Sequence, residues 1–176
     1  KYQFFDGDFY GIDATIMEIV RYFHSAAMRG EESRQVLYLV GPVGSGKTTG
    51  IFFKLAYMAS LQAKSPIDGI RRSRAVIVRN TMPQLVDTTI SSWNYWFKDG
   101  QAGVWRATDK KFIFKYGDVE CEVLFRALDT ADDVARVLSL EVTFAILDEF
   151  VQIDERIVEA LAARCGRYPP DNDGGA

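Results

Sequence analysis

The sequence has two cysteines, one histidine, no long apolar run and no strong excess of charge, and each shortage narrows what the chain can be. Cys121 and Cys165 stand without a partner pattern, which argues against a disulfide framework and reads as reduced core residues of an intracellular protein. No stretch reaches the roughly 18 apolar residues of a membrane span, and no signal peptide is visible. The single histidine, His24, reads as a surface or packing residue rather than a catalyst. A formal net charge of −3 excludes a polycation, so any nucleic-acid contact needs a local basic patch. No internal repeat stands out. What is present is ordinary: 176 residues, 48% hydrophobic and 26% charged, suit one globular domain with its own core. Lys1 in place of a Met reads as the start of a fragment.

The most informative stretch is Gly41-Pro42-Val43-Gly44-Ser45-Gly46-Lys47-Thr48. An apolar run of strand formers, Val36 to Val40, precedes it. A stretch reading as helix follows, from Thr48 to about Leu61. This is the P-loop pattern in the strand–loop–helix context the motif requires. The glycines let backbone N–H groups turn inward around phosphate oxygens, and the helix points its positive end at the same anion. Gly44, Ser45, Gly46, Lys47, Thr48 and Thr49 would cradle phosphates. Lys47 would reach the β- and γ-phosphates of ATP, and the Thr48 hydroxyl would ligate Mg²⁺. A second apolar run, Val142 to Leu147, ends in Asp148-Glu149, as a strand buried on both faces of a parallel sheet should read. Asp148 would hold the Mg²⁺ shell, and Glu149 would orient or deprotonate the attacking water.

Between and around these motifs the chain alternates helix and strand. A helix capped by Asp13 places Ile16, Ile19, Val20, Phe23 and Ala27 on one face. Arg71, Arg72 and Arg74 read as a solvated loop before the strand Ala75 to Val78. Thr81 and Gln84 have capping-box form with Pro83 in the first turn. The helix they open carries Leu85, Val86, Thr89, Trp93, Trp96 and Phe97 as its inner stripe. Lys111 to Tyr116 and Val119 to Phe125 alternate strictly about Gly117-Asp118, a two-residue hairpin turn. Ala131 to Leu138 reads as a short helix. Asp154 caps a helix to Arg164, with Ile153 and Val158 as a staple and Gly166 as terminator. The tail from Tyr168 reads as loose. The predicted fold is α/β: an ASCE-type P-loop NTPase, a three-layer sandwich with a mainly parallel sheet and an inserted β-hairpin. It forms a single domain over 1–176, with an N-terminal segment 1–34, a core 35–167 and a tail 168–176.

Two resemblances bear on function. Asp8-Phe9-Tyr10-Gly11-Ile12, the first helix and Gln35 to Gly44 resemble the AAA+ domain of bacterial serine protein kinases of the stress-response type. That resemblance implies that Ile12 lies beside the adenine. Residues 51 to 170 resemble the ATPase domain of tailed-bacteriophage terminase large subunits. The blocks that carry it are Val78 to Leu85, Asp87 to Ile90 with Trp93, Gly117 to Glu120, Phe125 to Leu128, Asp132 to Glu141, Asp148-Glu149 and Cys165 to Pro169. This second resemblance implies a DNA-packaging motor ATPase in the cytoplasm of a phage-infected bacterial cell. Its partners would be double-stranded DNA, a homo-oligomeric ring, a portal and a small terminase subunit. It implies Arg136 as an arginine acting on a neighbouring subunit's ATP, against a reading as a surface or salt-bridged residue. Arg79 is a second candidate, sensing the γ-phosphate or pairing with an internal acid.

The chain departs from the terminase pattern in three ways. Val43 stands where many terminases carry a loop arginine. The segment upstream of the P-loop is the AAA+-like one. The strand of the coupling motif and the nuclease domain do not follow. The resemblances meet at about Thr48 to Ile51, as they would in a hybrid gene. Three function classes therefore stand: a packaging-motor ATPase, an AAA+ regulatory or kinase-type module, and a nucleotide-binding hybrid with little turnover.

Overall fold

A computed structural model of the protein describes residues 47–128, 130, 133–170 and 173, together with Met17 and Arg21, which are helical. The chain divides into two compact units, Lys1–Val40 and Gly41–Ala176. The strands and helices named below lie in the second. The expected strand Val36 to Val40, the loop residues Gly41 to Gly46, and Ile12 and His24 lie outside the described residues.

Helix α1 spans Lys47–Ser60. Strand β1 is Arg71–Arg79, and helix α2 covers 82–96 in three joined segments. Strands β2 (Gly103–Arg106), β3 (Lys111–Tyr116) and β4 (Val119–Ala127) follow. The short helix α3 (Val134–Leu138), strand β5 (Phe144–Leu147) and helix α4 (Glu155–Ala162) complete the described elements. The sheet order is β2-β3-β4-β1-β5. β1 lies between β4 and β5 and is parallel to both, whereas β2, β3 and β4 are antiparallel neighbours. The expected hairpin about Gly117-Asp118 is present, with Tyr116 facing Val119 in register. Its second strand is also the parallel neighbour of β1, so the hairpin is continuous with the central sheet. β2 extends the hairpin outward. At Gly103 in β2, a Cβ would collide with the carbonyl oxygen of Ile113 and the ring of Phe112, so only glycine lets β2 approach β3 this closely.

Alternation along the central strands sends side chains to two separate cores, which makes the three layers. On one face Ala75, Ile77, Cys121, Val123, Phe125 and Phe144 pack with Phe52, Leu55 and Ala59 of α1 and with Leu85, Ile90, Trp93 and Phe97 around α2. On the other face Val76, Val78, Leu124 and Leu128 pack with Val137 of α3 and with Ile157, Ala160 and Leu161 of α4. Trp93 is fully buried. Its ring centroid lies 4.4 Å from that of Phe97 and 5.1 Å from that of Phe52. The fold is therefore the α/β sandwich with helices on both faces that the motifs implied.

Several local readings change. β1 starts at Arg71, so Arg71, Arg72 and Arg74 are strand residues rather than a solvated loop. Acids hold them there: Arg71 pairs with Asp118, Arg72 with Asp68 and Asp173, and Arg74 Nε lies 2.6 Å from Glu122 Oε2, its partner in register on β4. Thr81 is extended and makes no side-chain cap bond, so the capping box does not form. Asp154 does cap α4, accepting from Arg156 N at 2.9 Å. Val86 is exposed rather than part of the inner stripe, because Leu85–Ile90 forms a π-helical turn that shifts the helix phase. Cys121 is buried, but Cys165 is exposed. The start of the tail is tied down: Tyr168 O accepts from Thr143 Oγ1 at 2.8 Å, the Arg74 guanidinium lies 4.0 Å from the Tyr168 ring centroid, and Asp173 pairs with Arg72.

Candidate functional site

A carboxylate buried at the end of an apolar strand needs donors around it, because a buried unpaired charge is costly. β5 ends in this way. Asp148 follows its last residue, donates its backbone N–H to Val78 O at 2.9 Å, and is buried. Three elements bring donors to it. From α1, Thr48 Oγ1 donates to Asp148 Oδ1 at 3.2 Å. From the π turn of α2, Thr89 Oγ1 donates to Asp148 Oδ2 at 2.6 Å. From the end of β1, Arg79 Nη1 lies 2.9 Å from the same Oδ2. Arg79 and Asp148 are a buried pair, with side chains 11% and 6% exposed. Arg79 Nε has no hydrogen-bond partner among the described residues.

Two residues 100 positions apart, Thr48 and Asp148, are thus in direct contact. Of the two readings open for Arg79, pairing with an internal acid is the one its geometry matches. Thr89, expected only as a core residue, belongs to this cluster. The signal that could have found it is a hydroxyl in an otherwise apolar stripe, since a fully buried hydroxyl needs a partner.

Glu149 lies next along the chain, exposed, with φ 59° and ψ 55°. A left-handed backbone is uncommon for a residue other than glycine, and such positions concentrate at functional sites. The conformation turns the chain out of β5 into the 3₁₀ turn Phe150–Gln152. Asp148 faces the interior and Glu149 faces solvent, two environments for two neighbouring acids. Lys47 opens α1, and Thr49 lies in its first turn, half-buried. The Lys47 side chain and residues Gly41 to Gly46 lie outside the described residues.

A hydroxyl beside a carboxylate suits a hard divalent cation such as Mg²⁺, which takes one or two protein oxygens and completes its shell with water and phosphate. Among the described residues no cluster of three or more His, Cys, Asp or Glu could cage a metal. The Thr48–Asp148 pair supplies oxygen donors of the kind such a cation takes.

Arg136 is elsewhere. On α3, its Nη1 lies 2.7 Å from Asp133 Oδ1, and its side chain is 78% exposed. Asp133 is buried, and its Oδ2 accepts from Thr130 N and Oγ1. No hydrogen bond or ion pair among the described residues joins Arg136 to Thr48, Asp148 or Glu149. Arg136 instead borders a cleft of about 400 Å³ shared with Met82, Lys110, Arg126 and Leu128. Arg126 donates to Asp109 O and Phe125 O there.

Comparisons with known proteins fall on two parts of the chain. Residues 1–73 match the PrkA AAA domain family model. The serine/threonine kinase YeaG of Escherichia coli (strain K12) is 47% identical over 49 residues, which cover 28% of this chain and 8% of that protein. The ATP-dependent protease PrkA of Bacillus subtilis (strain 168) is 42% identical over 50 residues, with the same coverages of 28% and 8%. The chain thus spans less than a tenth of the length of these relatives. Among solved structures, the large terminase from the thermophilic bacteriophage D6E superposes with a TM-score of 0.58 at 15% identity, covering 75% of this chain and 30% of that one. The fold is of the P-loop α/β class. The chain thus joins an N-terminal likeness to PrkA AAA domains with a fold like that of the terminase.

Proposed function

We propose that this chain is the Mg²⁺-dependent, ATP-hydrolysing domain of a viral DNA-packaging motor of the large-terminase kind. The observation that carries the reading is the 3.2 Å contact from Thr48 Oγ1 to Asp148 Oδ1. It joins the helix behind the Gly-rich loop to the acidic end of a parallel strand, the crevice where open α/β sheets bind ligands. Gly41, Pro42, Val43, Gly44, Ser45, Gly46, Lys47, Thr48 and Thr49 hold the phosphates in this reading, and Ile12 lies by the adenine. Thr48 and Asp148 hold Mg²⁺, which when bound neutralises phosphate charge. Glu149, exposed beside them, holds the attacking water and takes its proton. Arg136 works in trans: a guanidinium this exposed can reach a γ-phosphate across a subunit contact, where it would stabilise the transition state. Double-stranded DNA, a homo-oligomeric ring, a portal and a small terminase subunit are the partners of this reading, and the infected bacterial cytoplasm is its place.

A second reading, an AAA+ regulatory or kinase-type module, draws on the 47% identity of the N-terminal stretch to YeaG. The test is the rate of Mg²⁺-ATP hydrolysis with and without double-stranded DNA, across protein concentration. Stimulation by DNA and a per-subunit rate that rises with concentration support the motor. Turnover indifferent to DNA favours the second reading. Nucleotide binding without turnover would leave a nucleotide-binding hybrid that does little chemistry.

A further inference from the structure

Asp148 uses its two oxygens unequally. Oδ2 takes both Arg79 Nη1 at 2.9 Å and Thr89 Oγ1 at 2.6 Å, whereas Oδ1 takes Thr48 Oγ1 at 3.2 Å. The terminal torsion of an aspartate is broad and two-fold, so the side chain by itself does not fix which oxygen faces the ligand. Partners must fix it. We propose that Thr89 is a positioning residue for the divalent cation: with Arg79 it clamps Oδ2 inward, so that Oδ1 is turned toward Thr48 and the metal.

The local structure supports a built clamp rather than an incidental contact. Thr89 is fully buried, so water does not compete for its hydroxyl. Its hydrogen bond to a carboxylate is charge-assisted and short. The helix that carries it is locally π-helical at Leu85–Ile90, which leaves Thr89 and Ile90 both buried while Thr88 turns outward and donates to Gln84 O at 2.6 Å. Single π turns of this kind concentrate at functional sites. Without Thr89, Oδ2 would keep the Arg79 contact alone and Oδ1 the longer 3.2 Å bond from Thr48; the Thr89 hydroxyl gives Oδ2 a second anchor from a different element. Outer partners of this kind orient metal-binding side chains, and removing one typically weakens metal affinity about 10- to 100-fold.

The inference rests on the assignment of Asp148 to the metal, and the experiment separates the two. The whole chain is loaded with the non-hydrolysable analogue AMP-PNP, and Mn²⁺ binding is read by the loss of its free electron-paramagnetic-resonance signal. Thr89→Val, nearly the same shape without the hydroxyl, should weaken Mn²⁺ binding about tenfold or more. AMP-PNP affinity in EDTA should stay at the parent value, a readout that a general loss of structure would not spare. Thr89→Ser should restore most of the Mn²⁺ affinity. If Thr89→Val does not fold, Thr89→Ala takes its place in the same comparison with Thr89→Ser. Parent-like Mn²⁺ affinity in Thr89→Val, or a Ser variant no better than Val, overturns the positioning role while leaving Asp148 as a metal residue. If Asp148→Asn binds Mn²⁺ as the parent does, the metal assignment and the inference fall together.

Discussion

Asp148 and Glu149 are adjacent in sequence, yet the fold gives them opposite surroundings, and their substitutions should separate accordingly. Asp148→Asn removes the counter-charge of the buried Arg79 guanidinium, 2.9 Å away. Breaking one side of a buried pair costs about 3–5 kcal/mol, so urea unfolding of this variant should show a large loss of stability as well as weaker Mg²⁺-dependent ATP binding. Glu149→Gln changes an exposed residue and should keep stability within about 0.5 kcal/mol. Its ATP turnover should fall roughly a hundredfold with binding retained, the scale of a lost general base. Equal stability and equal kinetics for the two variants would undo this division of roles. Lys47→Ala should fold normally, by circular dichroism, and lose tight ATP binding or turnover. Hydrolysis at the parent rate would show that the Gly-rich loop is not the site.

Among the elements, the paired strands carry their own tests. Gly103→Ala would drive a methyl group into the Ile113 carbonyl and the Phe112 ring. The cost should be on the order of 2 kcal/mol, as for other overpacked positions, with faster hydrogen exchange at the Val104 and Trp105 amides than in the parent. Glu122 on β4 gives a pH test. Burial pushes its carboxyl up, but the hydrogen bond and charge of Arg74 and the charge of Lys111 outweigh this and hold it below its ordinary range. A depressed carboxylate stabilises the fold above the unfolded value of about 4.3, and that contribution is lost as pH falls through the lower folded value. Glu122→Gln should therefore flatten the acid limb of the urea midpoint plotted against pH. At neutral pH it should cost about 1 kcal/mol or less, since the pair is partly exposed. An unchanged acid limb would mean that the Arg74–Glu122 pair is not what links β1 to β4 electrostatically.

For the whole molecule the question is whether one copy is a complete enzyme. Arg136 is 78% exposed and ion-paired locally, to Asp133, and among the described residues no hydrogen bond or ion pair joins it to Thr48 or Asp148. If it acts in trans, mixing two crippled chains should recover activity. Arg136→Ala keeps the loop and Asp148, Lys47→Ala keeps the arginine, and a mixed contact sets one intact site against one intact arginine. Turnover above the sum of the separate chains, rising with total concentration, is the expected result. A rate independent of concentration, with no recovery on mixing, would leave Arg136 a surface residue held by Asp133.

The sequence alone determined the layers, because these depend on periodicity and local chemistry. The apolar run Val142 to Leu147 ending in an acid, observed as the strand Phe144–Leu147, the alternation about Gly117-Asp118 and the Asp154 cap are all local patterns with local causes. They were legible before any strand was paired. Pairing across the chain decided the rest. Arg71, Arg72 and Arg74 read as solvated until β1 lies beside β4 and sets Arg74 opposite Glu122. The phase of α2 cannot be read past Leu85, because the π turn is imposed where the helix packs, and it exchanges Val86 for Ile90 in the core. Thr89 reads as one more residue of an apolar stripe until β5 ends against it. Arg79 could have sensed a phosphate or paired with an acid. Only the parallel register of β1 with β5, Val78 beside Leu147, brings its guanidinium to Asp148. A buried charge takes its meaning from what surrounds it in space, and that is set by long-range contacts that no single stretch of sequence contains.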